Sequence, residues 1–259
     1  MTAATLSQIS GGRYVLGLGA STRALAEGFH DVPFALPADR LADTVTAVRA
    51  LLTGEPARLR HTRDARPLRL GLPPAPEVPI WLAALGPRTL QVAAELADGW
   101  LPALVARDRL AGLVDQLVRP PGLPPLTVAA GPLTVADDGA GTARDTAAAC
   151  IAWYVTAMGD VYARSLTDQG YGAEVEAIRA ANPRPSLRSG RVPPEAEAVL
   201  DQLTAIGTAD SVRGQLDRWD DLADIVVLGL PPGLPEEAIE ATLRAAAPDP
   251  AAVPTSVAS

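Results

Sequence analysis

Lysine is absent from the 259-residue chain; all 22 basic side chains are arginine. That excludes a Schiff-base lysine, a P-loop lysine and a lysine general base. A single cysteine, Cys150, rules out an internal disulfide framework and a multi-cysteine metal site. Two histidines, His30 and His61, are too few for a histidine-rich metal centre, so no metal is expected. The net charge is −8 and the sequence pI about 4.8, so there is no basic footprint for nucleic acid or anionic lipid. No run approaches the roughly 18 continuous apolar residues of a membrane span. The opening MTAATLSQISGG lacks both the charged start and the apolar stretch of a secretory signal. The expectation is a soluble cytoplasmic protein whose partner is a small molecule. What is present is an apolar content of 48%, enough for one sizeable core or two small ones.

The 25 prolines and 22 glycines fall mainly between periodic segments, where they act as punctuation. Residues 2–9 read as a helix closed by Ser10-Gly11-Gly12. Tyr14 to Gly19 is a short apolar run ending in glycine, the pattern of a strand buried on both faces. Leu41, Val45, Val48 and Leu52 repeat with helical period over 37–52, with Gly54 just beyond. Ile80 to Leu85 is a second strand, followed by Gly86-Pro87-Arg88 and a helix through Ala97. Residues 99–105 and 126–135 are further strands, the latter ended or bulged by Pro132. A long helical region follows: 140–169 with Ile151, Val155, Met158 and Tyr162 on one face, then 173–181, 195–206 and 209–219. Asp224 to Gly229 is the fifth strand, 235–247 the closing helix, and 248–259 a frayed tail. Strands separated by helices predict a parallel α/β architecture.

In such folds ligands bind where strands hand over to helices, at the strands' carboxyl ends. Gly17-Leu18-Gly19-Ala20-Ser21 is one such junction. Its glycines let a ligand approach the backbone, and its N–H groups and the Ser21 hydroxyl can donate to an anion. It also reads as a plain tight turn, and it lacks the third glycine and the following acidic residue of the dinucleotide fingerprint. At Gly86-Pro87-Arg88-Thr89 the proline suits a first helical turn, so a guanidinium and free N–H groups would stand at a helix N-terminus. That is either a phosphate or carboxylate clamp or a solvated first-turn arginine.

Other residues carry two readings each. His30 either lines a pocket or fixes its loop, and Trp100 either lines a flavin-sized cavity or packs in the core. Trp81, Tyr154 and Tyr162 have the same two readings, with packing favoured for Trp81. His61 lies among the five arginines of 58–69, a solvated loop or an attractor of acidic ligands. Cys150 is a buried, inert thiol. Asp137-Asp138-Gly139 is a turn rather than a metal loop.

Ser10-Gly11-Gly12-Arg13-Tyr14-Val15-Leu16-Gly17-Leu18-Gly19 resembles the first signature of the luciferase-like monooxygenase superfamily. Glu27-Gly28-Phe29-His30, Val32-Pro33-Phe34 and the helix at Arg40-Leu41 continue it. Residues 78–90 together with Ala97-Asp98-Gly99-Trp100 resemble the second signature. Trp153-Tyr154-Val155 to Tyr162, with Gly170-Tyr171-Gly172, is similar to the helical insertion of its actinobacterial F420-dependent branch. The resemblance implies a (β/α)8 TIM-barrel-like fold that binds a deazaflavin, F420, or alternatively FMN, at the mouth formed by the strands' carboxyl ends. It implies cofactor contacts from Gly17, Gly19, Ser21, Gly86, Pro87 and Arg88, with His30 and Trp100 as pocket candidates; it assigns no catalytic residue. The cofactor carries the chemistry, hydride transfer at C5 of the deazaflavin or oxygen activation on a flavin.

Against eight strands the sequence shows about five, in one domain over 1–259, with a helical insertion at about 137–222 before the last strand. The strand at Tyr14 to Gly19 resembles the fourth of the family. The expectation is therefore an incomplete barrel with an apolar edge, to be resolved by a start inside a longer frame, rearranged closure, self-association or a partner chain supplying strands. Three functions follow: an F420- or FMN-dependent oxidoreductase acting on a small organic substrate, a non-catalytic or partner-requiring subunit, or a cofactor-free remnant catalysing a non-redox step.

Overall fold

The computed structural model describes residues 1–57, 59, 62, 64–137, 141–184 and 186–248. His61, Asp138, Gly139 and the segment 249–259, for which the sequence gives readings, lie outside these residues. The described residues form two compact units: Met1–Ala103 with Leu110–Ala130, and Leu104–Arg109 with the residues from Gly131 on.

The first unit is built on four parallel strands in chain order: β1 (Leu16–Gly19), β2 (Ile80–Ala83), β3 (Gly99–Trp100) and β4 (Thr127–Ala130). β1 opens this order as an edge and pairs in register with β2, Leu16 opposite Ile80 and Gly19 opposite Ala83. Helix α1 (Thr2–Ser10) ends as its sequence predicts, with Gly11 left-handed at φ 63° and its N–H bonded back to Gln8. α2 (Arg23–Gly28) is a short helix whose N-cap, Thr22, accepts from the Leu25 N–H. α3 (Pro37–Leu52) buries Ala38, Leu41, Val45 and Leu52, essentially the face that the periodicity marks. α4 (Pro87–Leu96) starts on Gly86 with proline at its first position, and α5 (Leu110–Val114) precedes β4.

Two ion contacts lock the amino ends of these strands. Asp98 Oδ2 accepts from both the Arg49 guanidinium and the Ile80 N–H at 2.8 Å. Arg119 donates to the Ala94 and Ala97 carbonyls at 2.9 Å, closing the end of α4 where cations suit the helix dipole.

The second unit pairs β5 (Leu133–Ala136) with β6 (Thr204–Gly207), parallel and in register. Helices α6 (Thr142–Ala157), α7 (Val161–Leu166), α8 (Gly172–Ala181) and α9 (Glu197–Leu203) pack Ile151, Leu166, Ile178, Leu200 and Leu203 into one fully buried core. A smaller core, around Ala205, Val212 and Ala245, sits under α10 (Ala209–Leu216) and α11 (Glu236–Ala246), with β7 (Ile225–Val226) between those helices in sequence.

The structure corrects four predicted segments and, with them, the number of strands. Seven strands form among the described residues, against the five read from the sequence. The run 126–135 breaks at Gly131-Pro132 into β4 and β5, as Pro132 requires. The insertion predicted over 137–222 is not wholly helical, because β6 falls inside it where a helix through Ile206 was expected. The helix predicted over 140–169 stops at Ala157 and restarts at Val161, with left-handed Gly159 (φ 75°) between. The strand predicted over 99–105 is limited to Gly99–Trp100.

Candidate functional site

In the first unit, β1 and β2 run parallel, so their carboxyl ends stand side by side. Gly19 faces Ala83 across the pair, and a Cβ added to Gly19 would lie 3.3 Å from the Ala83 Cβ. At Gly17 and Gly86 an added Cβ would meet nothing closer than 3.9 Å, so the backbone there is open to a ligand. Ser21 follows β1 with φ 62°, and Asp31 (52°) and Leu36 (49°) share the left-handed region in the same connection. Non-glycine residues are held there only where their surroundings fix them.

The connection is tied to itself and to α3. Arg23 pairs with Glu27 at 2.5 Å, donates to the Phe34 carbonyl at 3.2 Å and lies 5.6 Å from the centre of the Phe34 ring. Glu27 accepts the Phe34 N–H at 3.0 Å, and Arg40 donates to the Pro33 carbonyl at 2.8 Å. Between this loop and the end of β1 is a cavity of about 190 Å³. Gly19, Ala20, Phe34 and Arg40 are among its walls.

At the start of α4, the Leu90 N–H returns to the Gly86 carbonyl, and Thr89 Oγ donates to the same carbonyl at 2.9 Å. Pro87 has no N–H, so helix geometry leaves those of Arg88 and Thr89 without intrahelical acceptors. The Arg88 guanidinium reaches Asp39 in the first turn of α3 at 3.1 Å, with both side chains largely exposed. That contact joins the N-termini of α3 and α4 beside the two strand ends. An oxyanion at Gly86 would find two backbone donors and a guanidinium that Asp39 already orients.

Six residues proposed from the sequence thus occupy adjacent turns of one unit: Gly17, Gly19 and Ser21 at the end of β1, and Gly86, Pro87 and Arg88 at the start of α4. His30 is exposed and stacks edge-on against Phe29, with ring centres 4.9 Å apart, and is not among the walls of the cavity. Trp100 is fully buried, its indole N–H donating to the Ala84 carbonyl at 2.9 Å. It is a core residue supporting the strand end rather than a pocket wall. Arg23 and Asp39 have no place in the sequence reading, and Glu27, Phe34 and Arg40 enter it only through the resemblance, without these contacts. The i,i+4 spacing of Arg23 and Glu27 and the acidic first turn after Pro37 are the signals that mark them.

Cys150 lies in the core of the second unit, and burial pushes its thiol up to about 11. The folded protein therefore keeps this proton where the unfolded chain has lost it. The stabilisation is complete below about pH 9 and is lost as pH rises towards 11. Cys150→Ala should flatten the stability curve across that window in urea titrations at stepped pH. The native thiol should also resist a thiol reagent that modifies the denatured chain completely.

The sequence profile of the luciferase-like monooxygenase family matches residues 1–224. The chain belongs to that family. It is 30% identical over 254 residues to a protein of Mycobacterium tuberculosis named as a coenzyme F420-dependent oxidoreductase, covering 85% of this chain and 70% of the relative. A phthiodiolone/phenolphthiodiolone dimycocerosates ketoreductase of Mycobacterium bovis is 27% identical over 242 residues, covering 85% of this chain. The chain spans 61% of that ketoreductase's length. Among solved structures, the coenzyme F420-dependent tetrahydromethanopterin reductase of Methanopyrus kandleri superposes with a TM-score of 0.68 at 18% identity, over 94% of this chain and 75% of the reductase. That likeness establishes the α/β, parallel-sheet fold of the luciferase-like enzymes.

Proposed function

We propose that this luciferase-like chain binds F420, with FMN as the alternative, and serves hydride transfer to or from a small organic substrate. The observation that carries this reading is the convergence of open glycine backbone at the ends of β1 and β2 with the free first-turn donors and Arg88 of α4. It is supported by a relative named as F420-dependent and similar over most of this chain.

The donor set fits the phosphate of such a cofactor. Gly86, Arg88 and Thr89 would hold it, with Asp39 keeping the guanidinium in place. The cavity behind Gly19, at about 190 Å³, is smaller than the roughly 300–1,000 Å³ of pockets that enclose whole ligands. Gly86, Arg88 and Thr89 are not among its walls, so the first unit offers an anion anchor and a separate small cavity, and a three-ring system needs additional surface. When bound, a deazaflavin supplies the hydride chemistry; the chain's own part is to anchor the anion and to fix the loop that carries Phe34 over the end of β1.

Fluorescence titration of the purified chain with F420 and, separately, with FMN tests the proposal; saturation with neither at tens of micromolar would overturn it. Arg88→Ala should weaken binding by about 1–3 kcal/mol, the worth of a charge-assisted contact. Asp39→Ala frees the guanidinium that Asp39 holds in place and should weaken binding by less than Arg88→Ala does. An unchanged dissociation constant in Arg88→Ala removes Arg88 from the site.

A second reading, a subunit that needs additional strands, is favoured by the β1 edge. β1 is half-exposed along its length, whereas β5 is buried throughout. Met1, Leu6, Ile9, Val15, Leu25, Phe29, Val32 and Leu36 are all exposed apolar side chains before α3. An uncovered sheet edge flanked by apolar side chains is what a further strand would cover. Under this reading the chain associates in size-exclusion chromatography, whereas a stable monomer that saturates with F420 leaves only the first.

A further inference from the structure

We infer that the second unit carries a separate binding site for a small polyanion, built by the loop 186–191 over the start of α6. A cavity of about 810 Å³ lies there, within the size range of ligand pockets. Its polar walls include Thr142, Arg144 and Thr146 of α6 and Arg188, Ser189 and Arg191 of the loop. Three arginines line one cavity in a chain whose net charge is −8.

The arginines differ in how they are used. Arg144 is committed: its Nε donates to Glu197 at 3.1 Å, its Nη2 pairs with the same carboxylate, and this hydrogen bonding raises its pKa. Arg188 and Arg191 form no ion pair among the described residues. Among the described residues the one carboxylate on the cavity wall is Asp145, 83% exposed and 3.9 Å from Arg144. Positive charge therefore exceeds negative at the wall, and the excess rests on the two loop arginines.

The loop presents them from a fixed backbone. Buried Asn182 donates to the Ile178 and Arg191 carbonyls at 2.7 Å and accepts the Arg191 N–H at 2.9 Å. Ser186 Oγ accepts from the N–H groups of Arg188 and Ser189, and the Gly190 N–H returns to the Ser186 carbonyl. Gly190 rests so closely on α6 that an added Cβ would lie 2.9 Å from the Ala149 carbonyl. A pre-set backbone leaves less ordering cost for a ligand to meet. Two guanidiniums on it suit a ligand with two or more oxyanion groups, each able to take a forked contact. Carboxylates and phosphates share that chemistry.

The test is calorimetric titration of the full chain with citrate and with pyrophosphate, using acetate as the singly charged control. It is run at about 50 mM salt, where screening leaves close charge pairs effective. Saturable one-to-one binding of citrate or pyrophosphate is expected, weakened at least about tenfold in Arg188→Gln/Arg191→Gln and unchanged in Arg213→Gln on α10. Ser186→Ala keeps both charges but frees the loop and should weaken binding severalfold. Whichever probe binds tighter identifies the ligand as polycarboxylate or phosphate. No saturation with either probe up to about 10 mM, or saturation that the double variant leaves intact, overturns the site. The titrations are run in the Arg88→Ala background, which removes the first-unit phosphate contact, and F420 binding to the otherwise native chain should be unchanged by Arg188→Gln/Arg191→Gln, so failure of the cofactor proposal and failure of this one are separately visible.

Discussion

Gly131→Ala is expected to be the most damaging glycine-to-alanine substitution among the described residues, lowering stability by more than about 4 kcal/mol or abolishing soluble folding. Gly131 opens the turn between β4 and β5, and the Val227 backbone passes directly over it. An added Cβ would lie 2.0 Å from the Val227 carbonyl oxygen and 2.8 Å from its nitrogen. Both obstructing atoms are main chain, so no rotamer change relieves the overlap. The neighbouring bonds Thr134 N–H to Gly229 and Gly229 N–H to Pro132 also hold those segments together. Gly112→Ala, inside α5 and with nothing within 4 Å, provides the contrast. It should be neutral or stabilising by about 0.5–1 kcal/mol, the ordinary gain of alanine over glycine in a helix. Urea denaturation of the two variants side by side separates a general cost of methylation from this specific overlap.

Trp100→Ala should cost about 3–5 kcal/mol, the usual range for emptying a fully buried aromatic site. Part of that loss is the bond from the indole N–H to the Ala84 carbonyl, which would be left buried without this donor. Trp100→Phe keeps much of the volume but loses the donor and part of the ring, so it should cost less than Trp100→Ala, about 1–3 kcal/mol. Ala84 stands two residues before Gly86, so the phenylalanine variant also examines the strand end that carries the proposed phosphate site. A folded Trp100→Phe protein with weakened F420 binding assigns Trp100 a supporting role. Full affinity confines its contribution to the core.

The legible parts of the fold are those decided locally. The 41/45/48/52 repeat marks the buried face of α3, and Gly11 ends α1 because a left-handed residue closes that turn without a Cβ penalty. β6 is different. Leu200 and Leu203 continue a helical spacing into Ala205 and Ile206, and only pairing with β5, distant in sequence, turns Thr204–Gly207 into a strand. α2 is six residues long, too short for a periodic signal. At the candidate site, Gly17, Gly19 and Gly86 are legible as places where the backbone carries no side chain, which the residue type alone states. The partnership of Arg88 with Asp39 was not, since it joins helices 49 positions apart. Trp100 carries no sign in its flanking residues that its indole turns inward; the Ala84 carbonyl that receives it decides that.

The register of β1 also has a consequence in time. Leu16 pairs with Ile80, so during synthesis β1 leaves the ribosome about 60 residues before its partner strand exists, an interval of seconds at ordinary elongation rates. Through that interval the nascent chain carries Ile9, Val15 and Phe29, side chains that stay exposed even after folding. The yield of native protein should accordingly depend on elongation rate and on the supply of chaperones that hold apolar nascent segments, more than on the stability of the finished fold.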